Sequence, residues 1–357
     1  MTRDTRAVIR LSALRANLEC ARRVAPGARQ LCVIKANGYG HGIVEVARAL
    51  DGADAFGVAC LDEALTLREA GIDKPVVLLE GILSAAELEA LRQWRLETVV
   101  HHAAQVAMLE QAAPGKAVPV WLKIDTGMHR LGVPPEDARL LWQRLADCPA
   151  VKGVPRLMTH LANADDRQDP ATKRQLRIFD EAIAGLEGER SVANSAGILG
   201  WPQTHAEWNR PGIMLYGVSP FGEEPWPELT PAMTLHSTLI AVKRLRRGDP
   251  VGYGGRFVCP EDMPVGVAAI GYGDGYPRHA PDGTPVLVNG RPAAIAGTVS
   301  MDMLTLDLRH VPDAVPGDPV TLWGDDLPIE TVARHAGTIG YELLCKVTKR
   351  VRFEYVD

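Results

Sequence analysis

The sequence predicts an α/β protein with two parts, an N-terminal (β/α)8 TIM-like barrel followed by a mostly β C-terminal domain. Two observations predict it. Over the first two-thirds of the chain, eight short apolar runs alternate with helix-periodic segments or turns, the count and length of a closed barrel. Beyond "FGEEPWPELTP" the helical period gives way to alternating segments punctuated by glycine, proline and Asn-Gly. An open doubly wound sheet is the alternative for the first part. The expected domains are 1–229 and 230–357.

Each element has a local reason. Ser12 is a candidate cap for a first helix in which Leu14, Leu18, Ala21 and Ala25 recur at intervals of three and four. The strand "LCVIK" follows. Then come helix "IVEVARAL", strand "AFGVAC", helix "DEALTLREAG", strand "PVVLLEG", helix "SAAELEALRQW", strand "ETVVHH" and helix "AAQVAMLEQA". The alternation continues with "VPVWLKIDTG", "PEDARLLWQRLA", "PRLMTHLA", "TKRQLRIFDEAIAGL", "RSVANSA", a short "GILGW" and finally "EWNRPGIMLYG". In the C-terminal part, "MTLHSTLIAVKRL", "PVGVAAIGYGDGY", "TPVLVNGRPAAIAGTVSMDMLTLDL" and "PVTLWG" read as strands and hairpins.

Composition narrows the function. A net charge of −5, with lysines and arginines scattered apart from the short cluster Lys243 to Arg247, gives no footprint for nucleic acid. A small-molecule partner is the expectation. No stretch is long and apolar enough to cross a bilayer, and no secretory leader opens the sequence, so the cytoplasm is the expected compartment. The six cysteines are widely separated and read as small buried apolar residues, without disulfides or a structural metal.

Barrel active sites lie at the C-terminal ends of the strands, which directs attention to the polar residues there. Lys35 ends the first strand in "VIKANGYGHG". It is either a lysine snorkelling to water or a Schiff-base lysine held in a confined, partly desolvated place. The glycines behind it permit a tight turn but lack the Gly-Lys-Ser/Thr order of a nucleotide phosphate loop. In the fifth strand Val118, Val120, Leu122 and Ile124 alternate with Trp121, Lys123 and Asp125. The apolar set should meet the helices, directing Lys123 and Asp125 inward, where Lys123 is either paired with Asp125 or modified. Arg130 follows closely. His160 ends the sixth strand and Arg210 sits in the eighth, so both can reach one cavity. His101 and His102 show no metal-ligand pattern, and Tyr253 in "VGYGGR" fits a plain glycine-rich hairpin equally well.

Nine ordered segments carry more than any of them singly. These are "VIKANGYGHG", "WLKIDTGMHRLG", "MTHLANAD", "NSAG", "NRPGIMLYG", "VGYGGRF", "IGYGDGYPR", "GTVSMDM" and "GYELLC". Together they resemble alanine racemase, the barrel class of pyridoxal-phosphate enzymes, over nearly the whole chain. The resemblance implies an isomerase interconverting L- and D-alanine, with pyridoxal 5'-phosphate joined to Lys35. It implies that Tyr39, Ser195, Gly212, Ile213 and Tyr341 hold the phosphate, and that Arg210 faces the pyridine nitrogen. It further implies two opposed bases, Lys35 for the D-enantiomer and Tyr253 for the L-enantiomer, with Tyr253, His160 and Arg210 forming a hydrogen-bonded chain.

By the same resemblance Tyr253 reaches the cofactor of a neighbouring subunit, so a homodimer with shared active sites is implied. Met301 and Arg130 would meet the substrate carboxylate, Tyr272 and Tyr341 would narrow the entrance, and Lys123 would be carbamylated, giving Arg130 an anionic neighbour. Neither a metal nor a membrane partner is expected, from the scattered cysteines and the lack of a long apolar stretch. Ser300 stands where some relatives have cysteine, and Gly38 where alanine is common. A racemase of broader range, acting for instance on serine, is the alternative on the same scaffold. A decarboxylase would require a cysteine donor, and no matching motif surrounds Cys259 or Cys345. Supply of D-alanine for peptidoglycan and alanine catabolism both remain open as the physiological role.

Overall fold

The computed structural model describes residues 4–222 and 224–357. It resolves into two compact units, each discontinuous in sequence. One comprises the residues up to Leu14, Tyr39–His41 and Tyr216–Asp357; the other comprises Arg15–Gly38 and Gly42–Leu215. These units depart from the consecutive stretches 1–229 and 230–357. The first residues join the sheet unit because of a strand that the sequence reading did not find, β1 (Arg6–Arg10), whose partners lie at the far end of the chain.

The second unit is the expected closed barrel. Its eight parallel strands are β2 (Arg29–Val33), β3 (Ala55–Val58), β4 (Val76–Leu78), β5 (Glu97–Val100), β6 (Val120–Lys123), β7 (Arg156–Met158), β8 (Arg190–Ser191) and β9 (Trp208–Asn209). They pair in sequence order, and β9 closes on β2 through Arg29 opposite Trp208 and Gln30 opposite Asn209. Leu31, Ala55, Val77, Val99, Trp121, Met158 and Trp208 pack as the interior cluster. Trp121 faces inward, so its neighbours at alternate positions, Lys123 among them, share the inward parity.

The base of the barrel is closed by polar groups. Trp121 Nε1 donates to Glu97 and Trp208 Nε1 to Glu189, both at 2.9 Å. Arg156 bridges the two carboxylates, and the guanidiniums of Arg29 and Arg156 lie over the indole rings. A cavity of about 700 Å3 opens there, lined in part by these residues. This end of a barrel serves stability.

The expected helices surround the barrel with small changes. The first runs Leu11–Val24, so Ser12 lies inside its first turn and is not the cap. Ser84 and Asn194 do cap, accepting N–H bonds from Glu87 and Gly197.

The other unit is built on an eight-stranded sheet, and its strands after β1 are β10 (Met233–Leu245), β11 (Pro250–Val251), β12 (Phe257–Val258), β13 (Met263–Ala268), β14 (Pro285–Val288), β15 (Arg291–Ile295), β16 (Leu304–Asp307), β17 (Pro319–Trp323) and β18 (Arg352–Val356). The sheet order is β13-β16-β15-β14-β17-β10-β1-β18, and β11 and β12 form a separate ribbon. The long β10 changes register between Leu239 and Ala241, pairing with β1 and β17 before that point and with β13 over Leu239–Leu245. Two seven-residue helices, Ile329–His335 and Gly340–Lys346, interrupt the expected β pattern. Two turns are too short to leave a periodic signature.

Among the described residues, no helix is long and apolar enough to cross a membrane. Cys20, Cys32, Cys148 and Cys259 are buried as expected, whereas Cys60 and Cys345 are exposed.

Candidate active site

Lys35 stands two residues past the end of β2. At the end of the strand, Val33 N–H donates to Pro211 O and, just past it, Ile34 N–H to Gly57 O, both at 2.9 Å, so the backbone stays anchored up to the lysine. The chain then takes positive φ at five consecutive residues, the fifth being Gly40 at 80°. Ala36 (φ 52°, ψ 51°), Asn37 (55°, 47°) and Gly38 (63°, 45°) are followed by Tyr39 at φ 49°. Glycine accounts for two of these and L-residues for three, so the turn is not simply the glycine effect the sequence suggests. Each L-residue so placed costs about 1–2 kcal/mol, and the surroundings must hold it. Gly38 N–H donates to Ile34 O at 2.8 Å, and Asn37 accepts Gly42 N–H on its carbonyl and Ile43 N–H on Oδ1.

At the same strand ends four cations converge. Lys123 closes β6 and is 8% exposed; burial and the charges of Arg210, Arg130 and Lys35 lower its pKa to about 8 against the weaker pull of Asp125. His160, two residues past β7, is held well below the usual imidazole value by burial and by the same cations. It is therefore neutral at physiological pH. Arg210 follows β9 and is 4% exposed. Burial lowers its pKa to about 10, which leaves it protonated at neutral pH.

The partners of Arg210 are neutral. It donates to Ser191 Oγ at 2.7 Å, to Thr159 O at 2.5 Å and to Val192 O at 3.1 Å, and it faces His160 Nδ1 at 3.3 Å. Asp125, the carboxylate nearest Lys123 in effect, is itself engaged. Its Oδ1 accepts the N–H groups of Gly127, Met128 and His129 at 3.0–3.1 Å, folding the loop that carries Arg130. Those bonds hold Asp125 below the usual carboxylate range although its burial acts in the opposite direction.

Ser195 opens the helix Ser195–Gly200 beyond β8. Its hydroxyl oxygen accepts the N–H groups of Gly212 at 2.9 Å and Met214 at 3.3 Å, which leaves the hydroxyl proton to donate elsewhere. Ile213 lies between them at the start of a short 3-10 helix. The barrel unit thus brings together Lys35, Lys123, Arg130, His160, Ser195, Arg210, Gly212 and Ile213.

The remaining residues singled out by sequence lie in the other unit. Tyr39 stacks on Tyr216 at 4.7 Å and meets Tyr341 at 6.1 Å. Burial, then Tyr341 and Cys345, raise the Tyr39 phenol well above its ordinary value. Tyr253 begins a short 3-10 turn between β11 and β12 and is 71% exposed. Its carbonyl accepts the Thr298 hydroxyl, while Tyr272 N–H donates to Ser300 O and Gly273 N–H to Met301 O. Tyr253, Tyr272, Met301 and Met303 are all exposed.

The sequence reading missed Ser191 and Thr159, which hold Arg210. Their signal was position alone, at or just past a strand end. His101 and His102 turn out to serve the backbone: His101 Nε2 lies 3.0 Å from Glu80 O, and His102 Nδ1 accepts Ala104 N–H at a helix start.

Comparison with known proteins adds to this geometry. Residues 9–220 match the family model described as alanine racemase, N-terminal domain, and residues 232–355 match that of the C-terminal domain. An alanine racemase of Halorhodospira halophila is 53% identical over 360 residues, covering 100% of this chain and 99% of its own. The crystal structure of a biosynthetic alanine racemase from Pseudomonas aeruginosa superposes with a TM-score of 0.97 at 45% identity, covering all of both chains. That of an alanine racemase from Bartonella henselae, with covalently bound pyridoxal phosphate, superposes at 0.90 with 29% identity, covering 99% of each.

Proposed function

The chain belongs to the alanine racemase family and interconverts L- and D-alanine; from that premise we propose that it works with pyridoxal phosphate held on Lys35 and with Tyr253 supplied by a second copy. The residues present fit such a cofactor. Lys35, Lys123, Arg130 and Arg210 leave the strand ends with more positive charge than Asp125 can offset, which suits a phosphate dianion. The Ser195 hydroxyl is poised to donate. The Bartonella henselae relative, with pyridoxal phosphate covalently bound, supports the same reading. Bound there, the cofactor supplies a conjugated electron sink that acidifies the Cα–H of an amino acid joined to it.

The chain's own groups divide the remaining work. Lys35 Nζ holds the cofactor between turnovers and moves the Cα proton of the D-enantiomer on one face. The phenolic oxygen of Tyr253, from the partner copy, moves that of the L-enantiomer on the other. Arg210, which stays cationic, would face the pyridine nitrogen, and the neutral His160 beside it would pass a hydrogen bond toward the phenol. A cation there discourages protonation of that nitrogen and limits side reactions. Arg130 and Met301 would orient the substrate carboxylate, Tyr39, Ser195, Gly212, Ile213 and Tyr341 would hold the phosphate, and Tyr272 and Tyr341 would narrow the entrance. Carbamylated Lys123 would convert repulsion of Arg130 into attraction.

The exposure of Tyr253, an aromatic side chain 71% open on its own chain, supports its being covered in a homodimer. Likeness to a biosynthetic enzyme favours supply of D-alanine for peptidoglycan as the role.

The convergence of Lys35, Arg210 and Ser195 at the C-terminal strand ends carries this proposal. Its test is incubation of the purified protein with L-alanine in deuterated water. Optical rotation should decay to near zero while deuterium enters Cα, because enantiomers have equal free energy in an achiral solvent. A plateau away from equal amounts means other chemistry, and faster turnover of serine than of alanine would favour the broader-specificity reading.

A further inference from the structure

We propose that Glu63 is the positioning residue that fixes the direction in which Lys35 leaves the barrel wall; the inference rests on Lys35 being the cofactor lysine. Glu63 lies in the first turn of the helix Leu61–Glu69, which follows β3. Its Oε2 accepts Ala59 N–H at 2.8 Å, the bond an acidic residue commonly makes to the backbone just ahead of its own helix.

The other oxygen does something the helix does not require. Oε1 accepts Ala36 N–H at 2.6 Å, from a different strand-to-helix connection 27 residues earlier in the chain.

Ala36 N–H belongs to the peptide whose carbonyl is that of Lys35. Fixing that N–H fixes the peptide plane on the C-terminal side of the lysine. On the N-terminal side, the adjoining peptide is held at its carbonyl, where Ile34 O accepts Gly38 N–H at 2.8 Å, and the peptide before it by Ile34 N–H donating to Gly57 O. The Lys35 Cα–Cβ direction is thereby set from both sides. Ala36 is also the first left-handed residue of the turn, and a charge-assisted bond at that position offsets strain of comparable size. Among the described residues Glu63 forms no ion pair that would compete for its oxygens. One carboxylate therefore joins the end of β3 to the residue after the reactive lysine, in a chemistry where small misplacements are costly.

The test compares Glu63→Ala and Glu63→Gln holoenzymes with the parent, and uses Asp62→Asn as a control that removes an exposed first-turn charge without touching Ala36 or Ala59. In Glu63→Ala, kcat in both directions should fall on the order of ten- to a hundred-fold, with KM for alanine within about two-fold of the parent. Hydrogen exchange at Ala36 should accelerate and the cofactor should dissociate more readily. Glu63→Gln, with one acceptor oxygen left, should fall between the two, and it carries the test if the alanine variant does not fold.

Parental kcat in a folded Glu63 variant, a kcat loss without faster Ala36 exchange, or an equal loss in Asp62→Asn would each overturn the inference. Borohydride trapping in the parent separates the two layers. A label on another lysine sinks the cofactor assignment itself, whereas a label on Lys35 with undiminished Glu63→Ala sinks only the role of Glu63.

Discussion

Lys123 shows how one residue can be both a cost and a requirement. Its amine sits inside the barrel among Arg210, Arg130 and Lys35, and its pKa falls from 10.5 to about 8. Each unit is worth about 1.4 kcal/mol, so the charged form costs the fold roughly 3 kcal/mol. The sign follows from proton binding. Between about pH 8 and 10.5 the unfolded chain holds the proton that the folded chain has released, so stability from this group rises with pH through that window. Below about pH 8 the whole penalty applies. The neutral amine that burial favours is also the form that reacts with carbon dioxide, and a carbamate would turn the penalty into attraction. Bicarbonate is therefore expected to raise the melting temperature of the parent and leave Lys123→Met unmoved, with ¹³C-labelled bicarbonate giving a carbamate signal in the parent alone. A parent whose melting ignores bicarbonate, or whose lysine 123 carries no label, would show that the amine stays free.

At the scale of elements, the loop between β6 and the next helix depends on close backbone approach. Ile124 bridges Val133, and Asp125 N–H donates to Val133 O at 2.9 Å, so Gly132 passes directly over the Asp125 backbone. A Cβ on Gly132 would lie 2.5 Å from Asp125 N, at φ +138°. Gly132→Ala is expected to cost about 2 kcal/mol or more, and to raise KM for alanine more than it lowers kcat, because the displaced loop carries Arg130. Thermal melting and steady-state kinetics check both halves; an alanine variant with parental KM would detach Arg130 from substrate binding. Elements of this kind were legible where the information is local. The alternation of "VPVWLKIDTG" gave both the strand and the inward parity of Trp121 and Lys123, and the barrel interior agrees. The strand β1 was not legible, because its pairing with β10 and β18 depends on residues more than two hundred positions away. Nor was the left-handed turn after Lys35, since Ala36 and Tyr39 adopt a conformation against their own preference and only tertiary bonds reveal it.

At the scale of the whole molecule, the two proposed proton-transfer groups belong to different compact units, Lys35 to the barrel and Tyr253 to the sheet unit. Sequence order hinted at this division but could not say which copy of the sheet unit serves which barrel. Tyr253 is 71% exposed and Met301 52%, and a phenol so exposed on its own chain is well suited to serve a partner. Complementation decides the matter. Lys35→Ala and Tyr253→Phe should each be nearly inactive as homodimers, the second at least toward L-alanine. If each site draws Lys35 from one copy and Tyr253 from the other, a mixed dimer contains one site with both groups intact and one with neither. Equal amounts of the two variants, dissociated and reassociated at random, should then recover roughly a quarter of parental activity, since about half the dimers are mixed and each has one working site. Were both groups drawn from the same copy, every site in the mixture would lack one of them and no activity would return. Recovery near zero, with mixed dimers demonstrated by mass, would therefore reject the shared site while leaving the barrel chemistry of Lys35 untouched.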